Sequence, residues 1–176
     1  LAINYDSTAN IDDGSCCLVN QLIGQIGQNI HGESLFDESG YSVSLNSDGT
    51  KVAIGAKYND GNGPFSGHVR IYENIGGTWN QIGQDLDGEA SDDMSGYSVS
   101  LDSTGNIVAI GAPYNDGNGS NAGHVRIYEN IGGSWNQIGQ DINGEYAGDQ
   151  SGHQNGLSLS ADGTRVAIGA KYNYGN

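Results

Sequence analysis

Oxygen-bearing side chains recur at alternating positions in two stretches of the 176-residue chain. Positions 1, 3, 5 and 9 of these stretches are Asp85, Asp87, Glu89 and Asp93, and then Asp141, Asn143, Glu145 and Asp149. Calcium loops use oxygen ligands at such a spacing, with glycine at position 6 and a carboxylate at position 12. Here the glycine falls at position 4, and position 12 is itself a glycine. The favoured interpretation is an outer strand whose acids protect a sheet edge, and the alternative is a weak calcium site.

A second polar motif, GAKYNDGNG at 55–63, returns as GAPYNDGNG at 111–119. Asp60 and Asn62, with Asp116 and Asn118 in the second copy, would be the first two ligands of a calcium loop. No carboxylate follows at the later ligand positions. The motif therefore favours a glycine-rich turn, and we expect these four side chains at a binding face rather than around an ion.

The charge balance excludes several classes of partner. The net charge is −15, the isoelectric point is near 4.1, and there are six basic residues. Binding to nucleic acid or to an anionic membrane needs clustered positive charge. No apolar run approaches the length of a membrane span, so membrane insertion is not expected. Calcium is the cofactor that this composition leaves open.

The motifs recur because the chain repeats itself at a fixed period. Residues 39–96 and 95–152 align without gaps, and about 40 of the 56 positions in a period are identical. A third copy starts near Gly156, and residues 25–33 match the end of a period. A repeated structural unit must therefore position the polar residues.

Each period predicts four short strands and no helix of useful length. The strands are expected near 41–46, 51–58, 68–75 and 79–87, and again one period later. Four antiparallel strands per repeat are typical of a propeller blade, which needs neighbours to cover its faces. We predict an all-β partial β-propeller, with an open stack of sheets as the alternative.

The blade boundaries follow from the repeat. Full blades are predicted at about 41–88 and 97–144, preceded by the last strand of another blade from residue 25 and followed by the first two strands of a further blade. The chain begins with leucine and ends inside a recurring motif, so we expect it to be a piece of a longer protein.

Antiparallel pairing brings the long loops to one end of each blade. The loop between the second and third strands and the connection to the next blade share that end, and the tight turns share the other. Since loops on a rigid scaffold carry function, we expect the acidic end to bind a partner. His68, Arg70 and Tyr72 recur in the second copy, which favours packing and ion pairs over catalysis. Trp79 and Trp135 are expected between blades.

These motifs resemble FG-GAP repeats, the blades of integrin-alpha-like propellers and of many bacterial surface proteins. The second copy carries the resemblance in the residues 95–97, 108–113 and 123–128, and the likeness extends from about Gln25 to the C-terminus. Serine replaces the phenylalanine of the motif, and Lys57 and Lys171 replace its proline. The integrin-like calcium loop between the first two strands is replaced by short turns such as NSDGT, so the resemblance implies no ion there.

Residues 1–17 resemble the remnant of a cysteine-bracketed repeat of secreted bacterial proteins, and residues 18–24 are expected to be a linker. Adjacent cysteines such as Cys16 and Cys17 rarely bridge each other. A disulfide partner further upstream is favoured over a metal site, and it would indicate an oxidising compartment.

Together these features predict a non-enzymatic binding or adhesion module of a secreted or cell-surface protein. Its ligand would be a protein or a glycan, and the remaining blades of the parent chain would be its other partner. The alternatives are a propeller scaffold of an extracellular enzyme, with active-site residues outside this chain, and a structural spacer.

Overall fold

The computed structural model describes residues 24–174, so the module predicted at 1–17, with Cys16 and Cys17, and the linker predicted at 18–24 except for its last residue lie outside the described residues. The described part contains twelve β-strands and no helix. It therefore also contains no helix that would cross a membrane. The all-β prediction is confirmed.

The first blade is a five-stranded antiparallel sheet. Its strands are β1 (Ser42–Leu45), β2 (Lys51–Ala56), β3 (His68–Ile75), β4 (Thr78–Gln81) and β5 (Leu86–Asp87). The order is β1-β2-β3, and both β4 and β5 pair with β3. Because β4 and β5 share one partner, the sheet has the four-strand width of a propeller blade.

The second blade repeats the first, and a third begins after it. The strands are β6 (Ser98–Leu101), β7 (Ile107–Ala112), β8 (His124–Ile131), β9 (Ser134–Gln137), β10 (Ile142–Asn143), β11 (Leu157–Leu159) and β12 (Val166–Ile168). Strands β6 to β10 pair as in the first blade, and β11 pairs with β12.

The regular strand predicted at 79–87 is divided by a bulge. Gln81 lies opposite Tyr72 and Leu86 opposite Val69, so four residues on one strand face two on the other. The Ile82 amide still donates to the Ile71 carbonyl at 2.8 Å, and residues 83–85 bulge out of the ladder, with Gly83 at a positive φ of 71°. Such a bulge bends the strand and re-aims side chains, which apolar alternation alone does not reveal.

The predicted last strand of a preceding blade, from residue 25, is also different in the structure. Residues 24–41 form no strand. A fourth strand pairs with the third strand of its own blade, and the described part of the chain offers no such third strand to residues 25–33.

Equivalent contacts join successive blades along their first strands. The Leu101 amide donates to Ser44 Oγ at 2.9 Å, and the Leu159 amide donates to Ser100 Oγ at 2.9 Å. The core spans the first two sheets, because Val69 and Ile71 belong to the same buried cluster as Leu101 and Val108. Repeated contacts of one kind, blade after blade, form a partial β-propeller.

Candidate functional site: the loop end and its two clusters

The long connections meet at one end of the blades, which we call the loop end: residues 57–67, 88–97, 113–123 and 144–156. Asn62 Nδ2 donates to the carbonyls of Gly88 and Glu89 at 2.8 and 2.9 Å. Asn118 repeats both bonds one blade later. These two predicted binding-face residues therefore fasten neighbouring loops together.

The two predicted binding-face aspartates are exposed and shape their own turns. Asp60 Oδ1 accepts a bond from the Phe65 amide at 2.8 Å, and Asp116 Oδ1 accepts one from the Asn121 amide at 2.7 Å. The geometry agrees with the turn interpretation of the repeated motif.

Position 9 of each acidic stretch is a buried link between blades. Asp93 is 3% exposed, and its Oδ2 accepts from the Ala90 amide at 3.1 Å and from Asn115 Nδ2 of the next blade at 3.0 Å. Asp149 makes the equivalent bond to Asn173 at 3.1 Å. Position 9 therefore makes structural hydrogen bonds between neighbouring loops.

Positions 1 and 3 of the first stretch face a histidine instead. His68 Nδ1 lies 3.8 Å from Asp85 Oδ2, 4.0 Å from Asp87 Oδ1 and 3.8 Å from Glu33 Oε2. We call Glu33, His68 and Asp85 the first cluster. Glu33 belongs to one period of the repeat and Asp85 to the next, and the fold brings the two carboxylates to the same histidine.

Position 5 of the first stretch belongs to the next blade. Glu89 Oε2 lies 3.9 Å from His124 Nδ1, and Asp141 Oδ2 lies 3.7 Å from the same atom. We call these three residues the second cluster. Asn143, in β10, replaces Asp87, and Glu145 is exposed on the following loop.

The predicted calcium ligands are thus distributed over separate places and do not gather into one loop. Within residues 24–174, two groups of three histidine or acidic side chains bring ligand atoms to within 4.8 Å of one another, and they are the two clusters. Sequence reasoning missed both groupings, although the recurrence of each member one period later was a visible signal.

An arginine neutralises each cluster to a different extent. Arg70 lies 3.4 Å from Glu33 Oε1 and also donates to the His31 carbonyl at 3.0 Å. Arg126 pairs with Glu89 and also donates its Nε proton to Asp141 Oδ1 at 3.0 Å. The second cluster therefore has both carboxylates engaged by arginine, whereas the first has one.

Burial controls the protonation of the clusters. It lowers the pKa of both His68 and His124, so these imidazoles are neutral at neutral pH. Burial also raises the pKa of Asp87. Burial opposes ionisation of Asp141, but hydrogen bonds from Gln137 and the charge of Arg126 outweigh it and lower its pKa.

Aromatic side chains that the sequence reasoning did not single out pack edge-on or tilted against one another where the first strands begin. The Tyr41 and Tyr97 ring centroids are 4.9 Å apart, and those of Tyr97 and His153 are 4.6 Å apart. Lys57 Nζ lies 3.5 Å from the Tyr41 centroid and 3.0 Å from Glu38 Oε2. The three rings occupy equivalent places in successive periods, and that recurrence was the available signal. We call Tyr41, Tyr97 and Lys57, which pack together here, the tyrosine–lysine centre of the loop end.

Trp135 lies between two blades, as the sequence predicted, whereas the half-buried Trp79 bonds to residues 26–28, which form no strand. Trp135 is 3% exposed, and its Nε1 donates to the Ile82 carbonyl of the first blade at 2.8 Å. The side chain of Gln84, also in the first blade, donates to the Trp135 carbonyl and accepts from the Trp135 amide.

Comparison with protein families supports this architecture. Residues 85–128 match the FG-GAP repeat family. A crystal structure of a candidate 6-phosphogluconolactonase from Bacteroides uniformis ATCC 8492 is similar over 72% of this chain, with 14% identity and a TM-score of 0.47. This chain spans 32% of that protein. No curated protein sequence matches.

The matched segment starts at the bulge of the first blade and ends in the third strand of the second, and it includes the motifs that carried the resemblance. The chain therefore contains an FG-GAP repeat within a partial β-propeller.

Proposed function

We propose that this chain is a non-enzymatic binding or adhesion module whose loop end contacts a protein or glycan ligand. The observation that carries the proposal is that the exposed acidic loops are held in place by side-chain bonds, several of them buried. Asn62 and Asn118 fasten loops within a blade, and Asp93 fastens loops between blades. A fixed surface loses little conformational entropy when a ligand binds.

The charge of the loop end favours a ligand with positive groups. Asp60, Glu89, Asp92, Asp116 and Glu145 are exposed there, whereas Lys57 is buried. Concentrated charge of one sign steers a complementary partner and contributes to specificity. The tyrosine–lysine centre adds flat aromatic surface for packing.

The repetition of the charged clusters supports a binding role over catalysis. The same histidine–acid arrangement occurs in both complete blades. A catalytic set acts as one unit, so a duplicated arrangement is better suited to a structural or binding task. FG-GAP repeats occur in extracellular proteins, which supports a secreted or cell-surface location.

The proposal predicts binding that depends on exposed acids at the loop end. The chain would be tested against an array of immobilised glycans and a panel of extracellular-matrix proteins. We expect retention of at least one probe, and Asp60→Asn with Asp116→Asn should weaken it by about tenfold, because two attractive charges are lost. Asparagine keeps the oxygen that accepts the turn hydrogen bond.

The matched control is Asp48→Asn with Asp162→Asn. These two exposed acids also accept bonds within turns, but they lie at the opposite end of the blades. The control should bind the probe like the unmodified chain. No retention by the panel, or equal weakening in both pairs, would contradict the proposal and favour a structural spacer.

A further inference from the structure

We propose that each of the two clusters is a site for a divalent transition metal of the zinc class. Glu33, His68 and Asp85 would hold one ion, and Glu89, His124 and Asp141 would hold the other. This inference does not depend on the identity of the loop-end ligand, although Glu89 belongs both to the loop end and to the second cluster.

The distances within each cluster suit three ligands of one ion. The imidazole Nδ1 lies 3.8 Å from both carboxylate oxygens in the first cluster, and 3.9 and 3.7 Å from them in the second. These separations are too long for hydrogen bonds. Two ligands of a tetrahedral zinc ion are about 3.4 Å apart, so each imidazole nitrogen would have to approach its carboxylates by a few tenths of an ångström. All three ligand atoms of each cluster already lie within 4.8 Å of one another.

The buried histidine nitrogens are the second observation that points to a ligand. His68 is 1% exposed and His124 is 3% exposed, and neither Nδ1 has a hydrogen-bond partner. A buried polar atom without a partner costs free energy, and such atoms are rare in native proteins. Both nitrogens point towards carboxylates, and a metal ion would satisfy all three groups together.

The donor set selects the class of ion. Imidazole and carboxylate ligands together suit zinc and its first-row neighbours. Calcium and magnesium take oxygen ligands, so a site built around a buried imidazole is poorly suited to them. Calcium, which the sequence spacing offered as the alternative to an acidic sheet edge, is therefore not the ion that these clusters would prefer.

The positions of the ligands indicate what the metal would do. Glu33 and Glu89 lie on the connections that enter a blade, whereas the histidine and aspartate of each cluster belong to the blade itself. A bound ion would fasten each blade to the connection before it. Metal that binds the folded chain would thereby stabilise it.

The two sites should differ in affinity. In the first cluster Asp87 adds a third carboxylate, and Arg70 pairs with Glu33 alone. In the second cluster Arg126 engages both carboxylates and would have to yield to the metal. We expect the first site to bind zinc about tenfold more tightly.

The test is zinc titration of the full chain carrying Cys16→Ser and Cys17→Ser, because free thiolates bind zinc themselves. Calorimetry should give two equivalents of zinc. The ¹⁵N shifts of the His68 and His124 imidazoles should move as zinc is added, a readout that needs no further variant. Glu33→Gln with Asp85→Asn should leave one equivalent and only the His124 response.

Further variants sharpen the test. Arg126→Gln should tighten the second site by about tenfold by freeing its carboxylates.

The matched control, Asp60→Asn with Asp116→Asn, loses the same charge as the first-cluster pair and should keep two equivalents. The proposal is overturned if the folded chain binds no zinc, if both imidazole shifts stay unchanged, or if equimolar calcium displaces the metal. In the first two cases the clusters are arginine–carboxylate networks, and in the third they are cation sites that do not select for zinc.

Discussion

Asp102 shows how a single acceptor closes the tight turn of a blade. Its Oδ1 accepts from the Ile107 amide at 2.8 Å, and its Oδ2 accepts from Thr104 Oγ1 at 2.6 Å. Asn46 and Ser160 hold the equivalent place, and each accepts from the amide five residues later. The turn therefore needs an oxygen at this position but does not need a charge.

The charge on Asp102 should nevertheless make stability depend on pH. Burial opposes ionisation, but hydrogen bonds from Thr104 and from backbone amides outweigh it, so the pKa of Asp102 is lowered. A carboxyl whose folded pKa is below its unfolded value of about 3.9 stabilises the fold above that pH. The contribution is lost as pH falls through the folded pKa.

Asp102→Asn keeps the Oδ1 acceptor, removes the charge and replaces Oδ2, which accepts from Thr104, with an amide NH2. We expect a lower free energy of unfolding than in the unmodified chain at pH 6, and a difference that vanishes well below pH 4. Urea denaturation at a series of pH values measures it. A difference that stays constant with pH would mean that hydrogen-bond geometry, rather than ionisation, is responsible.

At the level of elements, the bulge between β4 and β5 has two tasks. It carries Asp85 into the first cluster, and its Gly83 approaches the neighbouring blade. A Cβ added to Gly83 would lie 2.8 Å from the Gly133 carbonyl oxygen and 2.8 Å from Trp135 Cδ1. The equivalent Gly139 has a similar φ of 73° but no atom within 4 Å of such a Cβ.

This pair separates backbone strain from contact between blades. Gly139→Ala should lower the free energy of unfolding by about 1 kcal/mol, because alanine is strained at positive φ. Gly83→Ala should cost more, since the methyl group also displaces a tryptophan or a backbone carbonyl. Chemical denaturation of both variants gives the comparison. Equal losses would show that the blades can separate locally at no cost.

The strands were largely predictable, and the clusters were not. Alternation and the turn motifs predicted β1 to β3 because those signals are local. The bulge was missed because the QIGQD segment contains no alternation that marks a break. Glu33 and His68 lie far apart in the sequence, and only the packing of a connection against the next blade brings them together. The sequence spacing of Asp85 and Glu89 suggested one calcium site, whereas in the structure Asp85 belongs to the first cluster and Glu89 to the second.

At the level of the whole molecule, burial differs between equivalent blades. Leu101 is 7% exposed beneath the first blade, whereas Leu45, its counterpart one period earlier, is 60% exposed. Val43 is 64% exposed on the same face. No described residue covers this face of the first blade, so chemically equal residues contribute unequally to stability.

Leu101→Ala should therefore lower the free energy of unfolding by about 2–5 kcal/mol, in the range of buried leucine truncations. Leu45→Ala in the same chain should change it by less than about 0.5 kcal/mol. Thermal or chemical unfolding of the two variants checks this directly. A similar large loss for both would indicate that a second copy of the chain covers the exposed face.

The buried aspartate–asparagine links between blades also constrain the order of events during synthesis. Asp37, Asp93 and Asp149 each leave the ribosome 22 or 24 residues ahead of the asparagine that binds them. At about 5–20 residues per second, each carboxylate waits roughly one to five seconds for its amide. Every connection is thus finished only when nearly half of the next blade has been translated, and the nascent propeller would mature with a constant lag behind the ribosome.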